Sequence, residues 1–276
     1  MSLSWRDRLR VVLAPRRVIL VRLGKGPGNR VSERKILACE PAPPGAPPWE
    51  PALAALAGEL AGPAWRRSAA RVILSNHFVH YLLVPWQEKV AGDEEQEALV
   101  RHRFTEVYGE AAADWELRWD EGRPPAPSLA SAVDRRLLAG LQALFESLGM
   151  PIDAIEPYLM AAFNRWHRTM DGRQDWFLLA EPGRLCLAWF RDEAWAGLQC
   201  QQVGEDWGRE LPRILERTLL LAGPEAAPGQ VCIAAPETPA GKLTLAEGWS
   251  GNLLKLPDSP GFLAARDGDY AMAMNT

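Results

Sequence analysis

Ser75, Asn76, His77 and His80 lie within six positions of one another and carry side chains from which hydrolytic or metal chemistry is often built. They sit in "VILSNHFVHYLLVPW", residues 72–86, between two apolar runs. A Ser/His nucleophile pair needs its hydroxyl raised on a strained elbow such as G-x-S-x-G. No such elbow occurs, and "GWSG" at 248–251 lacks the spacing. His77 and His80 are an odd number of residues apart, so on an extended strand they face opposite sides and cannot share a metal. Ser75 and Asn76 are favoured turn formers. The other histidines, His102 and His167, lie in no H-E-x-x-H and beside no cysteine pair. Asp93, Glu94, Glu95 and Glu97 fit the first turn of a helix, where its dipole favours acids, better than a metal cage. No catalytic and no metal-binding residue is therefore expected.

Cys39, Cys186, Cys200 and Cys232 form no C-x-x-C pair, and the last three stand in strand-like apolar text. They read as buried, reduced thiols of a cytoplasmic protein. The twelve tryptophans could form stacking platforms for sugars. Trp115, Trp119, Trp176 and Trp189 lie in strand text, where core packing accounts for them. Trp49 and Trp86 each follow a proline at a segment boundary and are the candidates for exposure.

These residues must be positioned by a chain of 276 residues, long enough for a sizeable core and for two domains. No stretch approaches the roughly 18 apolar residues that span a bilayer, and the N-terminus has no apolar signal-peptide core. The net charge of −4 is unevenly spread. Residues 1–35 hold ten Lys/Arg against Asp7 and Glu33, while the remainder is acidic. A basic head suggests a surface facing something anionic, such as a membrane. Nucleic acid is not expected, because the basic run lacks interleaved aromatics beyond Trp5. "LSWRDRLRVVL" (3–13) reads as a helix with Leu3, Trp5, Leu9, Val12 and Leu13 on one face. Trp5, Arg6, Arg8 and Arg10 are its candidate membrane-surface residues, against the alternative of a terminal helix packed on the body.

Further along, residues 16–40 read as two strands around "GKGPGN", which is not a dinucleotide loop because position 29 is Asn. "PAPPGAPP" is an extended linker, and residues 49–62 form an Ala/Leu-rich helix. The apolar strands of residues 72–86, a helix ending at Gly109, the alternating strand "DWELRWD" and the strand "LASAVD" follow. An amphipathic helix at 135–149, the strand "MPIDAIEP" and the helix "YLMAAFNRW" complete the first block. A second block begins near residue 169. It has three strands with turns at Pro182-Gly183 and near Asp192, a helix containing Pro212, the strand "GQVCIAAPE" and the strand "NLLKL". The order recurs in shortened form, which argues α/β with mixed sheets in two lobes.

"VILSNHFVHYLLVPW", the acidic helix, "WELRW" and "LASAVDRRLLAGLQALFESLGMPIDAIEPYLMAAFNRW" together resemble a family of actin-like proteins of bacterial pilus and secretion machines. These are the PilM-type pilus assembly proteins and the cytoplasmic domain of GspL-type type II secretion proteins. The resemblance implies an actin-like (RNase H-like) two-lobe α/β fold with mixed sheets. Lobe one would be residues 1–168, with an inserted strand–helix–strand unit at about 77–128, and lobe two residues 169–276. In actin-like ATPases the first strand leads to an Asp-x-Gly turn that positions Mg²⁺, and the second lobe repeats it. Here the first turn reads "VRLGKG", with Arg22 in place of the acid before Gly24. The second reads "LAEPGR", with Ala180 in that region and Pro182, which has no amide donor, before Gly183. "CIAAPE" lacks the late Gly-Gly pair.

The expectation is thus a scaffold without cofactor that does not hydrolyse ATP. The alternatives are an ATP-Mg²⁺-dependent ATPase or sugar-kinase-like protein, and an unrelated α/β enzyme or carbohydrate binder. The chain runs to Thr276 without a membrane helix, which resembles the stand-alone pilus type. The resemblance implies a cytoplasmic protein peripheral to the inner membrane, held by the cytoplasmic tail of a single-pass partner of the PilN type. The expected docking edge near the inserted unit is His80, Tyr81, Pro85 and Trp86.

Overall fold

A computed structural model of the chain describes every residue except 1–6, 25–29, 67, 89, 91, 121, 123, 171–174, 225, 239–242 and 276. In chain order the elements are β1 (Asp7–Ala14), β2 (Arg17–Leu23), β3 (Val31–Ala38), α1 (Glu50–Leu60), β4 (Ser68–Leu74), β5 (Val79–Val84), α2 (Asp93–Tyr108), β6 (Trp115–Trp119) and β7 (Ser128–Asp134). There follow α3 (Arg135–Ser147), β8 (Ile152–Pro157), α4 (Tyr158–Trp166), β9 (Trp176–Glu181), β10 (Arg184–Arg191), β11 (Ala194–Gln202), α5 (Trp207–Ala222), β12 (Gln230–Ala234), β13 (Ser250–Leu253) and α6 (Ala271–Met274). The chain divides into two compact units. One comprises Met1–Val79, Asp134–Arg165 and Lys255–Thr276, and the other His80–Val133 and Trp166–Leu254.

The first unit is built on a five-stranded sheet in the order β3-β2-β1-β4-β8. β1, β2 and β3 run antiparallel, and β4 and β8 are added parallel to β1. The helix predicted over residues 3–13 is corrected here, because from Asp7 the chain is strand β1. Leu9, Val11, Val12 and Leu13 are all fully buried. A strand covered on both faces reads as a continuous apolar run, which imitates the broad face of a helix. The β-branched pair Val11-Val12 and the turn former Pro15 are the signals that favour strand and hairpin.

Arg10 is corrected with it. The residue is only 8% exposed and its Nη1 donates to the Ala273 carbonyl at 2.9 Å. Burial, with Arg8, Arg71 and Arg165 nearby, lowers its pKa to about 10. It faces the protein interior and not a membrane. Arg8 is exposed, and Trp5 and Arg6 lie outside the described residues.

α1 and α3 pack against each other, α1 burying Ala52, Leu56 and Leu60 and α3 burying Leu137, Leu141 and Phe145. Gly140 lies at this contact, where a Cβ would stand 2.7 Å from Leu53 Cδ2 and oblige that side chain to shift. The division of the chain departs from a boundary at residue 168, because residues 255–276 return to the first unit. Val31 N donates to the Pro260 carbonyl at 2.8 Å, Asn275 Nδ2 donates to the Tyr158 hydroxyl at 3.1 Å, and Arg34 pairs with Asp267 at 2.7 Å.

Hydrogen bonds from Arg266 and Arg34 hold the nearly buried Asp267 carboxyl well below the usual carboxylate range. A carboxylate with a depressed pKa stabilises the fold above its unfolded value of about 3.9, and that contribution is lost as pH falls further. Asp267→Asn is expected to lower Tm at pH 7 by roughly 2–6 °C. The difference from the parent protein should shrink as melts are recorded from pH 4 down to pH 2.

The main sheet of the second unit, β11-β10-β9-β12-β13, repeats the pattern of the first. β9, β10 and β11 are antiparallel, and β12 and β13 are parallel to β9. α5 covers one face by setting Trp207, Leu211, Ile214 and Leu215 against Trp176, Leu178, Leu185, Leu187, Val231 and Ile233. The strand expected at "NLLKL" stops at Leu253. Leu254 N still donates to the Ile233 carbonyl, and Lys255 already belongs to the first unit.

The same unit holds the three-stranded sheet β5-β7-β6, with α2 packed on it through Val100 and Phe104. This insertion runs to the end of β7 and not to residue 128, because β7 is the middle strand of that sheet.

Candidate functional site

The cluster of Ser75, Asn76, His77 and His80 is a structural corner. Ser75 and Asn76 are buried, and Ser75 Oγ accepts from His77 N at 3.2 Å to cap a 3-10 turn over Asn76–Phe78. Asn76 Oδ1 accepts from Leu159 N at 3.1 Å, supplying a partner to the first turn of α4. The polar residues thus turn the chain out of β4, in the first sheet, toward β5, in the inserted one.

The phosphate turns are displaced from where the sequence puts them. Because β1 is a strand, the turn after the first strand is Pro15-Arg16, and "LGKG" belongs to the β2–β3 connection. Pro15 has no amide to offer a phosphate, and the turn holds neither glycine nor acid. Arg22 lies within β2, and its guanidinium is engaged by Glu33, Ser32 and the Ala64 carbonyl. Ala180 is a buried β9 residue paired with Leu185. Gly183 takes the left-handed conformation (φ 76°) that closes the β9–β10 hairpin. The carboxylate next to it, on Glu181, is 5% exposed. Mg²⁺ requires several hard oxygen ligands, and these turns do not fit a metal–nucleotide. Among the described residues no group of three or more His, Cys, Asp or Glu could hold a metal ion.

The four residues of the expected docking edge separate. His80 stacks on Trp115, with ring centroids 4.1 Å apart and planes 8° apart, and it also contacts Tyr108 at 4.8 Å. Burial, helped by the Arg184 charge, lowers its pKa. Tyr81 is buried and its hydroxyl is pushed far up by desolvation. Both are committed to packing. Pro85 and Trp86 are exposed, and Trp86 is 44% accessible, the most exposed tryptophan among the described residues. Trp49, the other candidate, is buried and donates its indole N–H to Asp134 at 3.3 Å.

Trp86 borders a cleft of about 490 Å³ inside the second unit. The end of β5 supplies Trp86, the first turns of α2 supply Asp93 and Gln96, and the end of β6 supplies Arg118, Trp119 and Asp120. Asp120 Oδ1 accepts from Leu129 N at 2.6 Å, which fixes the mouth of the β6–β7 connection. Burial raises the Asp120 pKa. Arg118 is drawn outward by Glu116, with 2.6 Å between their charged groups. Two indoles beside two carboxylates make a surface for an apolar chain carrying a basic group. The convergence of Trp119 and Asp120 on Trp86 has no sequence signal, since it depends on how β5 and β6 share a sheet.

Three cations of the basic head are matched by acids. Arg22, Arg34 and Lys35 pair with Glu33, Asp267 and Glu59. Among the described residues no helix is long and apolar enough to cross a membrane.

No family model matches the chain, and no curated protein matches it. Solved structures do. The cytoplasmic domain of EpsL, an inner-membrane component of the type II secretion system of Vibrio cholerae, superposes with a TM-score of 0.61 at 12% identity, over 98% of this chain and 95% of that one. The PilM–PilN type IV pilus biogenesis complex matches with a TM-score of 0.56 at 17% identity, over 82% and 80%. A Bacteroides thetaiotaomicron protein with the actin-like ATPase fold and unknown function matches with 0.53 at 7%, over 83% and 82%. The chain has the actin-like fold. The duplicated sheet order is the internal form of the same result: two antiparallel trios, each extended by two parallel strands.

Proposed function

We propose that this protein is a non-catalytic cytoplasmic adaptor at the inner membrane, in a type II secretion or type IV pilus-like assembly. It holds the cytoplasmic tail of a single-pass partner of the PilN type. The supporting observation is the likeness to the EpsL cytoplasmic domain along nearly the whole of both chains, joined to phosphate turns that hold no magnesium carboxylate pair. The tail docks in the cleft bordered by Trp86, with apolar residues on the indoles and a basic group near Asp93 and Asp120. Attraction of exposed N-terminal arginines to anionic lipid is a smaller contribution, about 1 kcal/mol for each that reaches the surface.

Two titrations test this reading. The N-terminal peptide of a membrane protein encoded beside this chain should bind by calorimetry with micromolar affinity, a strength suited to a short tail on a preformed surface. ATP with Mg²⁺ should leave the thermal midpoint unchanged, because a ligand shifts it only by binding the folded state. A tail that does not bind sinks the adaptor reading. A clear upward shift with ATP-Mg²⁺ would put the ATPase reading in its place.

A further inference from the structure

Two of the cysteines, unrelated in sequence, are partners in the fold. Cys186 in β10 and Cys200 in β11 are directly opposed in the antiparallel register. Opposed residues have Cα atoms about 4.5–5.5 Å apart, inside the window of about 4.4–6.8 Å that a disulfide requires. The side chains already converge, with the Cys200 thiol donating to Cys186 Sγ at 2.8 Å. The other cysteines cannot substitute. Cys232 is in β12, separated from β10 by β9, and two strand spacings amount to about 9.5 Å. Cys39 belongs to the first unit.

The two sulfurs differ in access. Cys186 is fully buried, and desolvation holds its thiol well above the ordinary range. Cys200 is partly exposed on β11, the edge strand of the sheet. A reagent from solvent therefore meets Cys200 first, and Cys186 stands directly behind it.

We propose that Cys186 and Cys200 form a redox-active dithiol that a small disulfide, such as oxidised glutathione, converts reversibly into a cross-strand disulfide. Cys200, as thiolate, attacks one sulfur of oxidised glutathione. That S–S bond breaks and one glutathione leaves as thiolate. Cys186 then loses its proton to solvent and attacks Cys200 Sγ in the mixed disulfide, expelling the second glutathione. Two protein thiols are oxidised by two electrons, and the glutathione disulfide is reduced to two thiols. A dithiol reductant reverses the sequence. Such bonds in reducing compartments are transient and regulatory more often than structural.

The test uses the full chain, incubated with oxidised glutathione, denatured, alkylated and weighed intact, then mapped by peptide mass. The wild type should lose two hydrogens and two alkylatable thiols, with the link mapped to Cys186 and Cys200. Dithiothreitol should restore four alkylatable thiols. Cys186→Ala should retain one glutathione on Cys200, and Cys200→Ala should leave Cys186 unmodified. The proposal is overturned by a wild type that keeps four alkylatable thiols, that ends as a lasting glutathione adduct, or that links through Cys39 or Cys232. Should either variant fail to fold, the wild-type map decides alone.

Discussion

Trp86→Ala is expected to weaken binding of the partner tail by about 30-fold or more, the effect of losing an anchoring aromatic contact of about 2 kcal/mol. The reasoning starts from exposure. A tryptophan offers 150–250 Å² of rigid surface (about the largest of any side chain), and a partner that covers it gains that area at little entropic cost. Trp86 is 44% exposed and borders the cleft formed with the start of α2 and the end of β6. Removing it leaves the core of the inserted sheet untouched, so thermal stability should move by no more than about 0.5 kcal/mol. Calorimetric titration of the tail peptide against the parent and the variant gives the answer, with melts as the control. Val107→Ala supplies a second control, since Val107 is exposed on α2 and lines no part of the cleft. Equal affinity in parent and Trp86→Ala would move the docking site away from this cleft while leaving the fold as it stands.

The contrast between Trp86 and its neighbours shows what a sequence discloses. A tryptophan after a proline, just past an apolar strand, is a boundary residue on local grounds alone, and Trp86 is exposed as that position implies. His80 and Tyr81 looked equally available by type, but their fate depends on the rings of Tyr108 and Trp115 brought in from α2 and β6. Elements defined by their own periodicity, such as α1, α3 and α5, fall close to the expected spans. β1 was hidden because a central strand buried on both faces loses the alternation by which strands are recognised. With β1 a strand the first turn moves one strand earlier, and Arg22 is a strand residue with three protein partners. The return of residues 255–276 to the first unit rests on long-range contacts, such as Arg34 with Asp267 and the short helix α6 against β1 and β2, which leave no periodic trace. The Cys186–Cys200 pair is legible only once the β10–β11 register is known, because fourteen positions separate the two in the chain.

Phe104→Ala is expected to cost about 3–5 kcal/mol and to release α2 from its sheet. α2 is otherwise weakly anchored. Among its described residues only Val100 and Phe104 are buried, and its opposite face is charged. Phe104 is fully buried among Val84, Leu117, Ala130 and Ala132, and its ring meets Trp115 edge-on at 6.3 Å. The small alanines that surround it cannot close over the void, so the cavity part of the cost should remain. Phe104→Leu, which keeps most of the volume, should cost far less and separates loss of packing from loss of the ring. Hydrogen exchange should localise the damage, with the amides of α2 and β5–β7 exchanging faster and those of β1, β2 and β4 unchanged. Since the first turns of α2 form one wall of the cleft, through Asp93 and Gln96, tail binding should fall together with α2 protection. A variant that exchanges rapidly along α2 and still binds the tail at parental affinity would show that the helix contributes nothing to docking. The partner would then be held by β5 and β6 alone.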